Sequence, residues 1–275
     1  MKKAPIIILG GDKRQKYVYE VLLKDGYDCS LVNEFSENID KIISENRYII
    51  LPFPATKDNK SIYCTNKDFN LQCDKLCELL NNRQIVFGGN LGKNLTDLLE
   101  RKNIVYHDLS NNEDFLVYNA FLTALGALKL LLDNTEEDLT HKKVLITGFG
   151  RIGKATALLF NRINLSVTVC ARKESQISLA ECLGFNTIKY NSLDEMLNVS
   201  EFIFNTVPER VFNSTNIENI KEDAVYFELA SPPYGVNEAD LTIRGHKYVD
   251  GGSLPGKYTP RAAGEYIAKS IEKLI

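Results

Sequence analysis

Between residues 143 and 155 the chain reads Lys-Val-Leu-Ile-Thr-Gly-Phe-Gly-Arg-Ile-Gly-Lys-Ala, and no other segment restricts its fold as much. Gly148, Gly150 and Gly153 have the spacing Gly-x-Gly-x-x-Gly, which gains meaning from its flanks. Residues 144–147 are apolar and rich in β-branched side chains, suited to a parallel strand buried on both faces. Residues 154–163 predict a helix, with Ala155, Leu158, Leu159 and Ile163 recurring on one side. Strand, glycine turn and helix in this order open a dinucleotide-binding βαβ unit. Gly148 permits the tight turn, Gly150 lets the backbone approach a pyrophosphate, and Gly153 lets helix and strand pack closely. The backbone around Phe149, Arg151 and Ile152 then faces the phosphates at the positive end of the helix.

The next strand sharpens the cofactor. Residues 165–170 alternate as Leu-Ser-Val-Thr-Val-Cys and predict the second strand of the unit. An NAD site usually has an acid at the end of that strand, about 20 residues after the glycines, to bond the ribose hydroxyls. Here the positions read Cys170-Ala171-Arg172-Lys173, and the first acid is Glu174. A carboxylate repels a 2′-phosphate, whereas a guanidinium binds it through two parallel charge-assisted bonds. Arg172, seconded by Lys173, therefore predicts NADP(H); NAD is the alternative if both cations are merely solvated.

A chain of 275 residues is long enough for two domains of ordinary size, and 44% hydrophobic with 25% charged residues is a globular composition. The net charge of −3 gives no reason to expect nucleic acid or an anionic membrane as partner. No apolar run suggests the ~20 residues of a membrane span. The apolar stretch at residues 5–9 is too short for a signal peptide and reads as a first strand. Six scattered cysteines without a Cys-x-x-Cys pair predict reduced thiols and a cytoplasmic protein. Three histidines without ligand spacing predict no metal site.

Along the first half, strands are expected at 5–9, 27–32, 48–51, 84–87 and 103–106, and helices at 13–24, 37–45, 71–81 and 94–101. Residues 52–70 are polar, contain two prolines and read as a loop over a site. A long helix over 111–133 leads to the glycine motif, followed by strands at 187–190, 201–206, 224–229 and 247–250 and a last helix at 260–275. Strands alternating with helices make this an α/β protein with two doubly wound parallel-sheet domains, the second a Rossmann dinucleotide-binding domain, and a cleft between them. The expected boundaries are residues 1–118 for a flavodoxin-like substrate domain and 119–259 for the nucleotide domain. The last helix, at 260–275, closes the chain and can pack back on the first domain.

Asn205, Thr206 and Pro208 end the fourth strand of the nucleotide domain, where the loop runs past the cofactor. Ala230 and Ser231 open a Ser-Pro-Pro-Tyr-Gly turn after the fifth strand, expected at the nicotinamide. Residues 251–261, rich in Gly and Pro, predict a shaped loop carrying Lys257 and Arg261. Gly10-Gly11-Asp12-Lys13-Arg14 places Arg14 at a helix start, an expected anion site. Gly88-Gly89-Asn90 would line the same side. No catalytic triad, phosphate loop or kinase pattern can be assembled, so the catalytic acid or base is unassigned and the chemistry is expected to be cofactor-borne.

An ordered set of motifs extends over nearly the whole chain. It comprises Gly10-Gly11-Asp12-x-Arg14-Gln15, Leu51-Pro52-x-x-Ala55-Thr56, the glycine fingerprint, Val169-x-Ala171-Arg172, Asn205-Thr206-x-Pro208, Leu229-Ala230-Ser231-Pro232 and Leu254-Pro255-Gly256-x-x-x-Pro260-x-Ala262-Ala263-Gly264. In these the chain resembles the family of dipicolinate synthase A subunits, related to the two-domain 2-hydroxyacid dehydrogenases. The resemblance implies NADP-dependent oxidation of a dihydrodipicolinate-like precursor during sporulation of endospore-forming bacteria. It implies a partner, the flavoprotein-like B subunit of that enzyme, and leaves open whether copies of the chain form a homo-oligomer. Arg14, Lys257 and Arg261 are the cations expected on a small dicarboxylate substrate. One departure stands out: the family's Asn-x-x-Pro-Thr-x-Glu-Gly is matched here by residues 119–126, where Leu122 replaces the proline and Leu125 the glutamate. The open alternatives are another NAD(P)-dependent dehydrogenase of a small carboxylate, or a non-catalytic protein that binds NADP without turnover.

Overall fold

Ile6–Leu9, the first strand (β1), is apolar at all four positions and fully buried, as expected of a strand covered on both faces. The computed structural model describes residues 4–34 and 36–275; residues 1–3, part of the opening segment, lie outside the described residues. After β1 come α1 (Lys13–Lys24), β2 (Cys29–Val32), α2 (Ile39–Glu45), β3 (Tyr48–Ile50), α3 (Cys73–Leu79), β4 (Ile85–Gly88), α4 (Lys93–Arg101) and β5 (Val105–Asp108). These five strands form one parallel sheet in the order β2-β1-β3-β4-β5. Successive residues of β1 feed opposite cores. Ile7 and Leu9 pack with Ile43, Leu76, Leu95 and Leu99 from α2, α3 and α4. Ile6 and Ile8 pack with Val18 and Leu22 from α1.

The helix α5 (Glu113–Asp133) follows a short 3-10 turn. Its 21 residues run unbroken through Leu122, where a proline would have removed an intrahelical bond and clashed with the preceding turn. This helix corrects one expectation: by length and composition alone it could cross a membrane, with a mean hydropathy of 1.8 over 18 residues. Half of that stretch is buried within the protein. Its apolarity answers to two cores, Phe115 joining that of the first sheet and Ala127, Leu130 and Leu131 that of the second.

The second sheet is built from β6 (Lys143–Thr147), α6 (Arg151–Arg162), β7 (Ser166–Cys170), α7 (Glu174–Cys182), β8 (Asn186–Ile188), α8 (Leu193–Leu197), β9 (Phe202–Asn205), α9 (Ser214–Ile217), β10 (Val225–Glu228), α10 (Glu238–Thr242) and β11 (Lys247–Asp250). Its six strands are parallel, ordered β11-β10-β9-β6-β7-β8. Counted from β6 this is the 3-2-1-4-5-6 order of the Rossmann fold, with the switch point between β6 and β9. The two faces again divide along one strand. Val144 and Ile146 join Ala157 and Phe160 of α6, while Leu145 joins Leu197, Ile217 and Leu241 of α8, α9 and α10. The expected pair of α/β sheets is thus observed. The helices α7 to α10 were not foreseen.

Two further helices, α11 (Leu254–Tyr258) and α12 (Pro260–Glu272), end the chain. The segment read as a Gly- and Pro-shaped loop is therefore partly helical: Leu254, Pro255 and Gly256 are buried. Gly126 lets Leu254 approach α5, since a Cβ there would lie 2.6 Å from that of Leu254. The contacts divide the chain into residues 119–258 and a discontinuous unit of residues 1–118 with 259–275. In the discontinuous unit α12 lies on α1, with Gly264 against the backbone oxygen of Arg14, and Ile267, Ala268 and Ile271 complete the core beneath.

Candidate functional site

The glycine turn follows β6 at the switch point, and each glycine has its own geometric reason. Gly148 has φ of +91°, in the left-handed region, and donates to the Cys170 carbonyl at 2.8 Å. A Cβ on Gly153 would lie 2.2 Å from the Gly148 oxygen, so only glycine lets α6 sit this close to the strand. Gly150 caps α6 in extended conformation with no side-chain acceptor and no acid in the first turn of the helix. A Cβ built on Gly150 meets nothing within 4 Å. The helix start is therefore open for an anion.

That opening gives onto a cavity of about 470 Å³. Of the residues expected at the cofactor, Gly148, Phe149, Gly150, Arg172, Lys173, Thr206 and Pro208 line it. Gln176, Tyr190, Val207, Glu209, Arg210 and Val211 line it as well and were not foreseen. The run from Val207 to Val211 merely continues the Thr206 loop and was open to sequence reading, whereas Gln176 and Tyr190 are brought in by α7 and by the turn after β8. Thr206 fixes its loop by donating its hydroxyl to the Thr147 carbonyl at 2.8 Å. Arg172 extends from the end of β7, and its Nη1 donates to Glu209 Oε2 at 3.1 Å. The chemistry available is phosphate binding at a helix start beside cations. Cys170, buried at the end of β7, has its thiol pushed up to about 12 by burial, so it packs rather than reacts.

The other residues expected at the cofactor are placed differently from one another. The side chain of Ile152 packs on the core of this unit, so only its backbone is placed to serve a phosphate. Arg151 is exposed at the start of α6, and Gly153 lies beneath the turn. Asn205 is completely buried, with no surface to offer a ligand. It is a brace: its Oδ1 accepts from the Thr147 hydroxyl at 2.6 Å, and its Nδ2 donates to the Val207 carbonyl at 3.0 Å and to Glu228 Oε1 at 2.6 Å. Ala230 is buried and Ser231 exposed, and neither borders the cavity.

Glu228, which sequence reading passed over, organises this end of the sheet. It is 1% exposed at the end of β10. Besides Asn205, the Ala230 N–H donates to Oε1 at 3.0 Å, and the Gly235 N–H and Tyr226 hydroxyl donate to Oε2 at 2.8 and 3.1 Å. Burial raises its pKa above the ordinary carboxylate value, and these four donors act against the rise. One carboxylate thus ties the loop after β9 to the loop after β10.

In the discontinuous unit, Gly10 and Gly11 take positive φ of +60° and +87°. The Gly11 N–H donates to the Tyr63 carbonyl at 2.7 Å, which holds the polar loop of residues 52–70 on the end of β1. Asp58 pins the same loop by accepting from the backbone of Ser61 and Lys60 and the hydroxyls of Ser61 and Thr56, and these bonds hold its carboxyl well below the usual range. Arg14 is not the free cation expected. It is 4% exposed and grips Asp12 through Nε and Nη2 at 2.9 and 2.7 Å. Arg261 belongs to α12 of this unit, where it stacks 4.9 Å from the Tyr17 ring and pairs with Glu265 at 3.7 Å. Lys257 is exposed on α11 of the other unit.

Two family models match the chain. Residues 5–110 match the N-terminal domain of the dipicolinate synthase A subunit, and residues 128–241 match the NAD binding domain of D-isomer specific 2-hydroxyacid dehydrogenases. A nicotinamide dinucleotide is accordingly the cofactor class of the second unit. The dipicolinate synthase A subunit of Bacillus subtilis (strain 168) is 25% identical over 284 residues, covering 98% of this chain and 95% of the relative. The crystal structure of the dipicolinate synthase A subunit from Bacillus halodurans superposes with a TM-score of 0.88 at 21% identity, over 99% of this chain and 98% of that one. The crystal structure of the Bacillus subtilis protein gives 0.85 at 24% identity, over 100% and 96%.

Proposed function

We propose that the chain is a member of the family of dipicolinate synthase A subunits and oxidises a dihydrodipicolinate-like dicarboxylate to dipicolinate with NADP, in company with the B subunit of that enzyme. The observation that carries the reading is the open Gly150 position facing a cavity that Arg172 and Lys173 also line. Loss of a hydride and a proton from a dihydropyridine ring leaves an aromatic ring, so product stability drives the reaction and the protein's task is placement. When bound, the nicotinamide supplies the hydride acceptor. The residues of the chain then divide the holding. The start of α6 takes the pyrophosphate, Arg172 and Lys173 the 2′-phosphate, and Thr206, Val207 and Pro208 wall the cavity. For the substrate carboxylates we assign Arg14 and Arg261, both of the discontinuous unit. Arg14, already paired with Asp12, contributes ordered donors rather than unshielded charge.

Two measurements test this. NADP(H) should bind more tightly than NAD(H), and Arg172→Asp should reverse the order, the lost phosphate contact costing roughly 1.5–3 kcal/mol. Equal affinities of the unmutated chain by calorimetry reject the NADP assignment. With the B subunit present, the chain should form dipicolinate, and Arg14→Ala and Arg261→Ala should lower turnover more than cofactor affinity. Unchanged turnover in both variants rejects them as anchors. Leu122 and Leu125 favour a second reading, a dehydrogenase acting on a different small carboxylate. NADP binding without dipicolinate formation by the unmutated pair, together with NADP reduction by another small carboxylate, selects it.

A further inference from the structure

We infer that Glu209 sets the balance between NADP and NAD, supplying from the loop after β9 the acid that the end of β7 lacks; this rests on the dinucleotide reading above. Glu209 lies 37 positions from Arg172 in sequence, yet its Oε2 accepts from Arg172 Nη1 at 3.1 Å and both residues line the same cavity. Among the described residues the lining therefore holds three cations, Arg172, Lys173 and Arg210, and one carboxylate.

That carboxylate acts oppositely on the two cofactors. A ribose with a free 2′-hydroxyl needs an acceptor for its proton. A guanidinium has only donors, so Arg172 cannot be that acceptor and Glu209 can. A 2′-phosphate has to take Arg172 from Glu209, and the carboxylate is then left beside a group of nearly two negative charges. The three cations keep the cavity favourable to NADP, and Glu209 narrows the margin and keeps NAD bound. Both partners are mostly solvent-exposed, with side chains 70% and 60% accessible, so the pair responds to a ligand without disturbing the core.

The experiment is a calorimetric titration of the full chain with NADP⁺ and NAD⁺ at low ionic strength, for the unmutated protein, Glu209→Gln, Arg172→Gln and the double variant. Glu209→Gln should tighten NADP about fivefold, the scale of an exposed ion pair, and weaken NAD about threefold. Added salt should shrink the NADP gain, because exposed charges are screened. In the Arg172→Gln background the NADP gain should fall, since no competition for the guanidinium remains to be relieved. An unchanged NADP-to-NAD ratio in Glu209→Gln, with both cofactors bound, overturns the role of Glu209 and leaves the dinucleotide site standing. Binding of neither cofactor by the unmutated chain overturns the dinucleotide reading and this inference with it.

Discussion

Replacing Gly150 by valine should give a folded protein that no longer holds a dinucleotide. The backbone there is extended at φ −78°, which valine adopts freely, and a Cβ meets no atom within 4 Å. The branched side chain would instead occupy the space into which the start of α6 opens. Affinity should fall by at least about 100-fold, some 3 kcal/mol, with the melting temperature nearly unchanged. Gly153→Ala should behave in the opposite manner. Its Cβ would fall 2.2 Å from the Gly148 oxygen, backbone against backbone, so the turn has to open. A loss of about 2–4 kcal/mol follows, visible as a melting temperature lower by roughly 5–15 °C. Calorimetry and thermal melts on the two variants check both halves. A Gly150→Val protein that binds NADP normally places the pyrophosphate elsewhere.

Glu228→Gln should destabilise the protein by about 2–4 kcal/mol even though it removes a buried charge. All four partners of Glu228 donate to it. An amide presents two hydrogens and no lone pair on one side, and the backbone N–H of either Gly235 or Ala230 is left facing a donor. Protonation of the native glutamate is milder, because its single hydrogen can be donated in a hydrogen bond to the Tyr226 hydroxyl oxygen while the other lone pairs still accept. The pH dependence has a definite sign. Since folding raises this pKa, the native state takes up the proton before the unfolded chain does. The group thus opposes folding above its raised pKa, and the opposition fades as pH falls toward the ordinary carboxylate value. Glutamine cannot titrate, so the gap in melting temperature between native protein and variant should widen on acidification through that window. A constant gap from neutral to acidic pH contradicts the raised value.

The strands that carry the site were legible because their patterns are local. β1, β6 and β7 are short apolar runs beside glycines or turn residues, and the three glycines of the fingerprint have distinct duties that spacing alone implies. The short helices α8 to α10 left no such trace: with four or five residues each they show no full helical period and exist through packing on the sheet. Arg14 was legible as a cation at a helix start. That Asp12, two residues earlier, turns back to hold it depends on the cap conformation. Glu209 and Glu228 were hidden for another reason. Each acts on a loop 37 or 23 residues away, and only the strand order brings those loops together.

The return of α12 to the first unit imposes an order of events on a growing chain. Residues 119–258 form a continuous unit and can close their core as soon as they emerge from the ribosome. The earlier unit cannot: one face of its sheet waits for Ile267, Ala268 and Ile271. Synthesis normally lets the first-made domain fold first. In this chain the first-made sheet is the last to be finished, and until then Val18, Leu22 and Phe115 lack the helix that covers them. Emergence of residues 260–272, rather than of the first hundred residues, is the moment at which that half becomes resistant to proteases.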